Sequence, residues 1–111
     1  MIESITSLDY WPVNGYPLCS VATSDKEFNP VKYWRGPVWI NINWLVIRGL
    51  QTYGYIQEAR DLTKNTIELI RKNGFYEYFH PLTGRGCGAC DFSWSASLLI
   101  DLIDTYEKEF G

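Results

Sequence analysis

Between about Val38 and Tyr53, apolar side chains occupy nearly every face of what reads as a helix: Trp39, Ile40, Ile42, Trp44, Leu45, Val46, Ile47 and Leu50. A helix that is apolar nearly all round belongs in an interior, covered on several sides by other elements. Ile40-Asn41-Ile42-Asn43-Trp44 alternates and alone would pass for a strand. The continuation WLVIRGLQTYG is too long for one, which decides for helix. Gly54 suits its C-terminal cap. This segment asks for more covering surface than its neighbours offer.

A second helix is predicted over Ile56–Asn73. Its apolar stripe is Ile56, Ala59, Leu62, Thr63, Thr66, Ile67 and Ile70, with Glu58, Arg60, Lys64 and Glu68 outward. Asn73-Gly74 ends it. A third helix starts near Ser93, a reasonable N-cap, and runs to about Lys108 with Trp94, Leu98, Leu99, Leu102, Ile103 and Tyr106 on a broad apolar face. Residues 75–92 read as a loop, with a turn at Pro81-Leu82-Thr83-Gly84. Residues 1–37 carry four of the five prolines and no sustained period. They read as irregular, with a short helical piece near Ser4–Asp9. The predicted class is all-α: one domain over residues 1–111, about three helices behind an irregular N-terminal segment. Three helices bury the first one only in part, so the pattern is that of a piece of a larger α domain.

Composition removes several function classes. The chain is 46% hydrophobic and 16% aromatic, which supports a packed core. Thirteen acidic against ten basic residues, with no basic stripe, argue against nucleic acid and anionic membranes as partners. No apolar run approaches the roughly 18 residues of a membrane span. The N-terminal MIESITSLDYWPVNG lacks the apolar core of a signal peptide, so a cytoplasmic location is expected. The cysteines, Cys19, Cys87 and Cys90, are odd in number and read as reduced thiols. Cys87-Gly88-Ala89-Cys90 is a C-x-x-C, but no βαβ pattern surrounds it. A zinc site would have only Cys19 and His80 to complete it. A plain glycine-rich loop is the favoured reading, and a redox or metal module the weaker one; no cofactor is expected.

Chemistry is concentrated elsewhere. Tyr33-Trp34-Arg35-Gly36-Pro37-Val38-Trp39 crowds three aromatic rings and an arginine around a Gly-Pro break. Phe75-Tyr76-Glu77-Tyr78-Phe79 wraps a carboxylate in rings just past a helix-ending glycine. Aromatic faces beside a carboxylate suit sugar binding and glycosidic bond cleavage. An inverting glycosidase needs two carboxyl groups roughly 6.5–9.5 Å apart, one acid and one base. Glu77 is a candidate base, since a partly desolvated loop carboxylate gains basicity; a solvated loop glutamate is the alternative. Trp34, Trp39 and Trp94 could stack on pyranose rings or simply pack in the core, as expected for Trp11 and Trp44. Arg35 could clamp a substrate carboxylate or form a structural ion pair, and Arg85 either. Asp91 could cap the third helix. No phosphate loop, Ser-His-Asp order or H-E-x-x-H is present.

The ordered set Y-W-R-G-P-V-W-I-N-I-N-W, Y-G-Y, F-Y-E-Y-F-H-P-L-T-G and F-S-W-S-A, from about Pro17 to Ile103, resembles the C-terminal part of glycoside hydrolase family 63. Within it the likeness is to bacterial mannosylglycerate and glucosylglycerate hydrolases; glucosidase I and the trehalases share related patterns. The resemblance implies a partial (α/α)6 toroid, hydrolysis with inversion, and no metal in the chemistry. It implies Glu77, in E-x-x-x-P-L-T-G, as the general base. It implies Tyr33, Trp34, Trp39 and Trp94 as pocket-lining residues, with Arg35 in the same motif. His80 stands where relatives often carry Asp or Asn, and Phe92 where some carry a polar residue.

The family's acid, an aspartate from an upstream motif, has no counterpart here; Asp9 and Asp25 lie in the wrong context. The expectation is therefore a C-terminal quarter or so of an inverting glycosidase acting on α-glucosides or glycosylglycerates. Its partners would be that small substrate and the missing N-terminal part of the domain, and alone it would be inactive. The alternative is a non-catalytic helical carbohydrate-binding or interaction module.

Overall fold

The computed structural model describes residues 10–11, 15–20, 23–29, 36–90 and 93–110, with the side chains of 89, 90, 93–95, 109 and 110 excepted. The element order is α1 (Ile40–Thr52), α2 (Ile56–Asn73), β1 (Tyr76–Phe79), β2 (Gly86–Cys90) and α3 (Ser93–Thr105), closed by a π-helical turn over Tyr106–Phe110. The three expected helices are present. The expected loop over 75–92 is not wholly loop: β1 and β2 form an antiparallel hairpin, so the all-α assignment is corrected by one small sheet. The helical piece expected near Ser4–Asp9 lies outside the described residues.

No side chain caps the start of α1, and its first turn holds no acidic residue. Burial holds this helix instead: Ile40, Asn43, Ile47 and Leu50 follow one another at spacings of three and four and face the core. Its far end closes on backbone bonds, with the Thr52 hydroxyl donating to the Arg48 carbonyl at 2.9 Å. Gly54 has φ +82°, its N–H donates to the Gln51 carbonyl at 3.2 Å, and the Tyr55 N–H donates to the Leu50 carbonyl at 2.8 Å. That pair of bonds is a Schellman closure, and its left-handed position favours glycine. Among the described residues the covering of α1 is incomplete: Leu45 is 57% exposed.

α2 buries Ala59, Leu62, Thr63, Thr66, Leu69 and Ile70. Leu69 joins the expected stripe, whereas Ile56, at the first turn, is exposed. The buried hydroxyls of Thr63 and Thr66 are satisfied inside the helix, donating to the Ala59 carbonyl at 2.6 Å and the Leu62 carbonyl at 2.7 Å. Glu58 in the first turn and Arg71 and Lys72 in the last complement the helix dipole. α1 and α2 pack on each other, and α3 closes against both through Leu102, with Leu98 and Leu99 at its margin.

Trp44 ties α1 to α3. Its Nε1–H donates to Asp101 Oδ2 at 2.6 Å, and Arg48 reaches the same oxygen at 2.8 Å while its guanidinium lies 5.3 Å from the Trp44 ring centroid. Trp44 is therefore half-buried and hydrogen-bonded at the edge of the core it was expected to fill. No helix among the described residues is long and apolar enough to cross a membrane.

Candidate functional site

The site begins with one backbone pairing. Val38 and Phe79 exchange both of their backbone hydrogen bonds, at 2.8 and 2.9 Å, in an isolated antiparallel bridge, and Val38 bridges Cys19 on its other side. The next residue on each segment forms the non-hydrogen-bonded pair, where side chains approach most closely. Those residues are Trp39 and Tyr78. Their rings stack with centroids 5.0 Å apart and an interplanar angle of 24°. The end of the Tyr33–Trp39 motif is thus fixed to the strand that carries Glu77. Trp39 is 5% exposed, its ring against Tyr78, and its carbonyl accepts from the Asn43 N–H at the start of α1.

Glu77 lies in β1, not in a loop as the sequence suggested, and is half-buried. The physical reason is that Phe75–Phe79 is aromatic at every position except Glu77, so no period-two contrast marks a strand. Its partner β2, Gly-Cys-Gly-Ala-Cys, is poor in strand-forming residues.

The hairpin register is interrupted at Glu77. Tyr76 pairs with Cys90 and Tyr78 with Cys87, so Gly88 and Ala89 together oppose Glu77. This is a β-bulge, a device that re-aims a side chain and is over-represented beside active sites. The C-x-x-C therefore brackets a bulge within a strand. Cys87 donates weakly to the Arg85 carbonyl at 3.6 Å, and Cys19 is buried. Among the described residues no group of three or more His, Cys, Asp or Glu is placed to hold a metal ion.

The turn joining the strands is organised by His80. Its Nδ1 accepts from the backbone N–H groups of Leu82 at 3.1 Å and Thr83 at 3.3 Å. The His80 N–H donates to the Arg85 carbonyl and the Gly84 N–H to the His80 carbonyl. Imidazole Nδ1 here does what a side-chain oxygen of Asp or Asn does in an Asx turn. Burial holds the His80 pKa below its ordinary value, and the nearby Arg85 charge lowers it further. Arg85 itself is exposed, its backbone N–H donating to Thr83 Oγ1.

Asn43 was not singled out by the sequence reading, although a polar residue inside an apolar run is the signal that could have found it. It is fully buried. Its Oδ1 accepts from the Leu18 N–H at 3.1 Å, and its Nδ2 donates to the Pro17 carbonyl at 2.9 Å and to Thr66 Oγ1 at 3.0 Å. One side chain thereby fixes residues 17–18 against α1 and α2, beneath the Cys19–Val38–Phe79 line.

Of the sequence-predicted site residues, Trp39 is joined through Tyr78 to the strand that carries Glu77. Tyr33, Trp34 and Arg35 lie outside the described residues, as do Asp9, Asp91 and Phe92. Trp94 lies in the first turn of α3, and its side chain lies outside the description. Asp25 is exposed and accepts from the Glu27 N–H within its own turn. A separate cleft of about 330 Å³ lies between α2 and the C-terminal segment, lined by Lys64, Ile67, Arg71, Ile103 and Tyr106 among others, away from Glu77.

Comparison with known proteins supplies the context. Residues 7–95 match the model of the mannosylglycerate hydrolase MGH1-like glycoside hydrolase domain. A mannosylglycerate hydrolase from Rubrobacter radiotolerans is 48% identical over 89 residues, 80% of this chain and 20% of that protein. A mannosylglycerate hydrolase from Thermus thermophilus is 47% identical over 85 residues, 77% of this chain and 20% of that protein. The crystal structure of a family 63 mannosylglycerate hydrolase from another strain of Thermus thermophilus, in complex with glucose, superposes with a TM-score of 0.75 at 42% identity, covering 86% of this chain and 23% of that one. The chain spans about a fifth of the length of the curated relatives it matches.

Proposed function

We propose, for a chain that belongs to the mannosylglycerate hydrolase MGH1-like glycoside hydrolases, that it is the base-bearing part of an inverting glycosidase of the (α/α)6 type. Its substrates are glycosylglycerates such as mannosylglycerate or glucosylglycerate, or related α-glucosides. Glu77 takes a proton from water as that water attacks the anomeric carbon. The acid that protonates the leaving oxygen belongs to the remainder of the domain, about 6.5–9.5 Å across the pocket.

The observation that carries this reading is the placement of Glu77 at a β-bulge, next in sequence to Tyr78, whose ring stacks on Trp39. A general base has to be held at hydrogen-bond reach of one water in one orientation. A short strand pinned on one side by the Val38 bridge and on the other by β2 provides such a mount. Tyr33, Trp34, Arg35 and Trp94 complete the sugar-facing wall. Trp39 contributes to that wall through the Tyr78 ring it backs. Leu45 at 57% and Ile100 at 72% exposure are the sort of apolar surface that the remainder of a larger domain covers.

The reading is tested with two proteins. The 111-residue chain alone is expected to give no hydrolysis of mannosylglycerate or glucosylglycerate. A chimera in which it replaces the corresponding segment of the Thermus enzyme is expected to hydrolyse one of them, releasing first the sugar anomer of inverted configuration by proton NMR. Turnover by the isolated chain, or a first product of retained configuration, overturns it.

A further inference from the structure

Position 88 faces Glu77 across the bulge, and three facts there bear on what it does. Gly88 has φ +73°, in the left-handed region. A Cβ built on it would overlap Glu77 Oε1, and would stand 2.8 Å from Tyr78 Cε1 and 2.9 Å from Glu77 Cβ. It is one of the two residues that oppose Glu77 in the register. The carboxylate thus occupies the volume a side chain at 88 would take.

We infer that Gly88 is the positioning residue for the Glu77 carboxylate: the absent side chain is what admits the carboxylate to its place at the bulge. This rests on the reading of Glu77 as general base and adds the residue that sets where the base stands. The overlap with the carboxylate falls on the far end of a flexible side chain and is relieved by rotating Glu77 away, whereas the contacts with Glu77 Cβ and Tyr78 Cε1 also require a small shift of the hairpin or the Tyr78 ring. Both responses move the base from its place. A displacement of about 1 Å in a reacting group is enough to cost about 10²-fold in rate.

A substitution at 88 also incurs left-handed backbone strain, and Gly54 separates the two effects. Gly54 has φ +82°, with nothing within 4 Å of the Cβ it would carry. Gly54→Ala therefore reports strain alone, and Gly88→Ala reports strain plus collision.

The test has two arms. In the 111-residue chain, the urea midpoint is expected to fall more for Gly88→Ala than for Gly54→Ala, and the excess is expected to shrink in a Glu77→Ala background, which removes the carboxylate but keeps the Cβ at 77 and the Tyr78 ring. If Gly88→Ala unfolds the chain, refolding in the Glu77→Ala background supports the inference, and failure to refold there overturns it. An equal midpoint loss in both backgrounds also overturns it.

In the chimera, Gly88→Ala is expected to lower kcat by about 10²-fold with KM nearly unchanged, while Gly54→Ala leaves both within about twofold. If Glu77→Gln abolishes kcat but Gly88→Ala behaves like Gly54→Ala, the positioning role is wrong and the base assignment stands. If Glu77→Gln leaves kcat intact, the base assignment itself is wrong.

Discussion

Trp39 and Tyr78 lie with ring centroids 5.0 Å apart because Val38 and Phe79, one residue along each segment, share a pair of backbone hydrogen bonds. This contact joins the aromatic motif before α1 to the strand bearing Glu77. Two segments far apart in sequence become neighbours through a backbone bridge and a ring stack rather than through the packing of the helices.

That contact has a measurable coupling. Trp39→Ala is expected to destabilise the chain by about 3–5 kcal/mol, the usual loss for truncating a buried aromatic. The specific stack is smaller, about 0.5–1.5 kcal/mol, and is isolated by a cycle of Trp39→Leu, Tyr78→Leu and the double variant. Chemical denaturation followed by far-ultraviolet circular dichroism measures it. Strict additivity of the two changes would show that the rings do not support one another.

Asn43→Ala strips the acceptor from the Leu18 N–H and the donor from the Pro17 carbonyl, both in buried bonds. Leaving buried polar groups unpaired costs about 1–3 kcal/mol each, so a loss of about 3 kcal/mol is expected. The same urea titration reads it, and a loss below about 1 kcal/mol would contradict the assigned network.

His80 makes stability depend on pH in a known direction. In the folded chain its Nδ1 accepts two N–H groups and must be unprotonated, and its pKa lies below the ordinary value. In the unfolded chain histidine titrates near about 6.5. Between those two values the unfolded chain holds more protons, so stability rises with pH across that window. The contribution is fully present above about 6.5 and is lost as pH falls through the lower folded value. Arg85 is the charged neighbour that reinforces the effect. His80→Asn retains an acceptor and abolishes the titration, so the wild-type deficit relative to this variant should grow on acidification. His80 is the single histidine of the chain, so its proton NMR titration is assigned without ambiguity. A pKa at or above the unfolded value would refute the account.

The helices were legible because their apolar spacing is dense and their ends carry Gly54 and Gly74 at the expected places. The hairpin was not, since β1 has no polar-apolar contrast and β2 is glycine-rich. Glu77 draws attention through its aromatic flanks, but its strand and bulge arise from pairing with residues 86–90, which no local pattern announces. Val38 and Tyr78 acquire their importance the same way, through contacts with segments distant in sequence. Asn43 stood in plain view as a polar residue in an apolar run, yet its partners come from two other segments.

The most direct test of the account is kcat of the chimera with and without Glu77→Gln, measured on mannosylglycerate and glucosylglycerate. The substitution keeps the shape of the side chain and removes its ability to take a proton. Loss of a general base is expected to lower kcat by about 10²–10⁴-fold with KM little changed. A kcat that stays within a few-fold of the parent chimera, in a folded protein, would contradict Glu77 as the base.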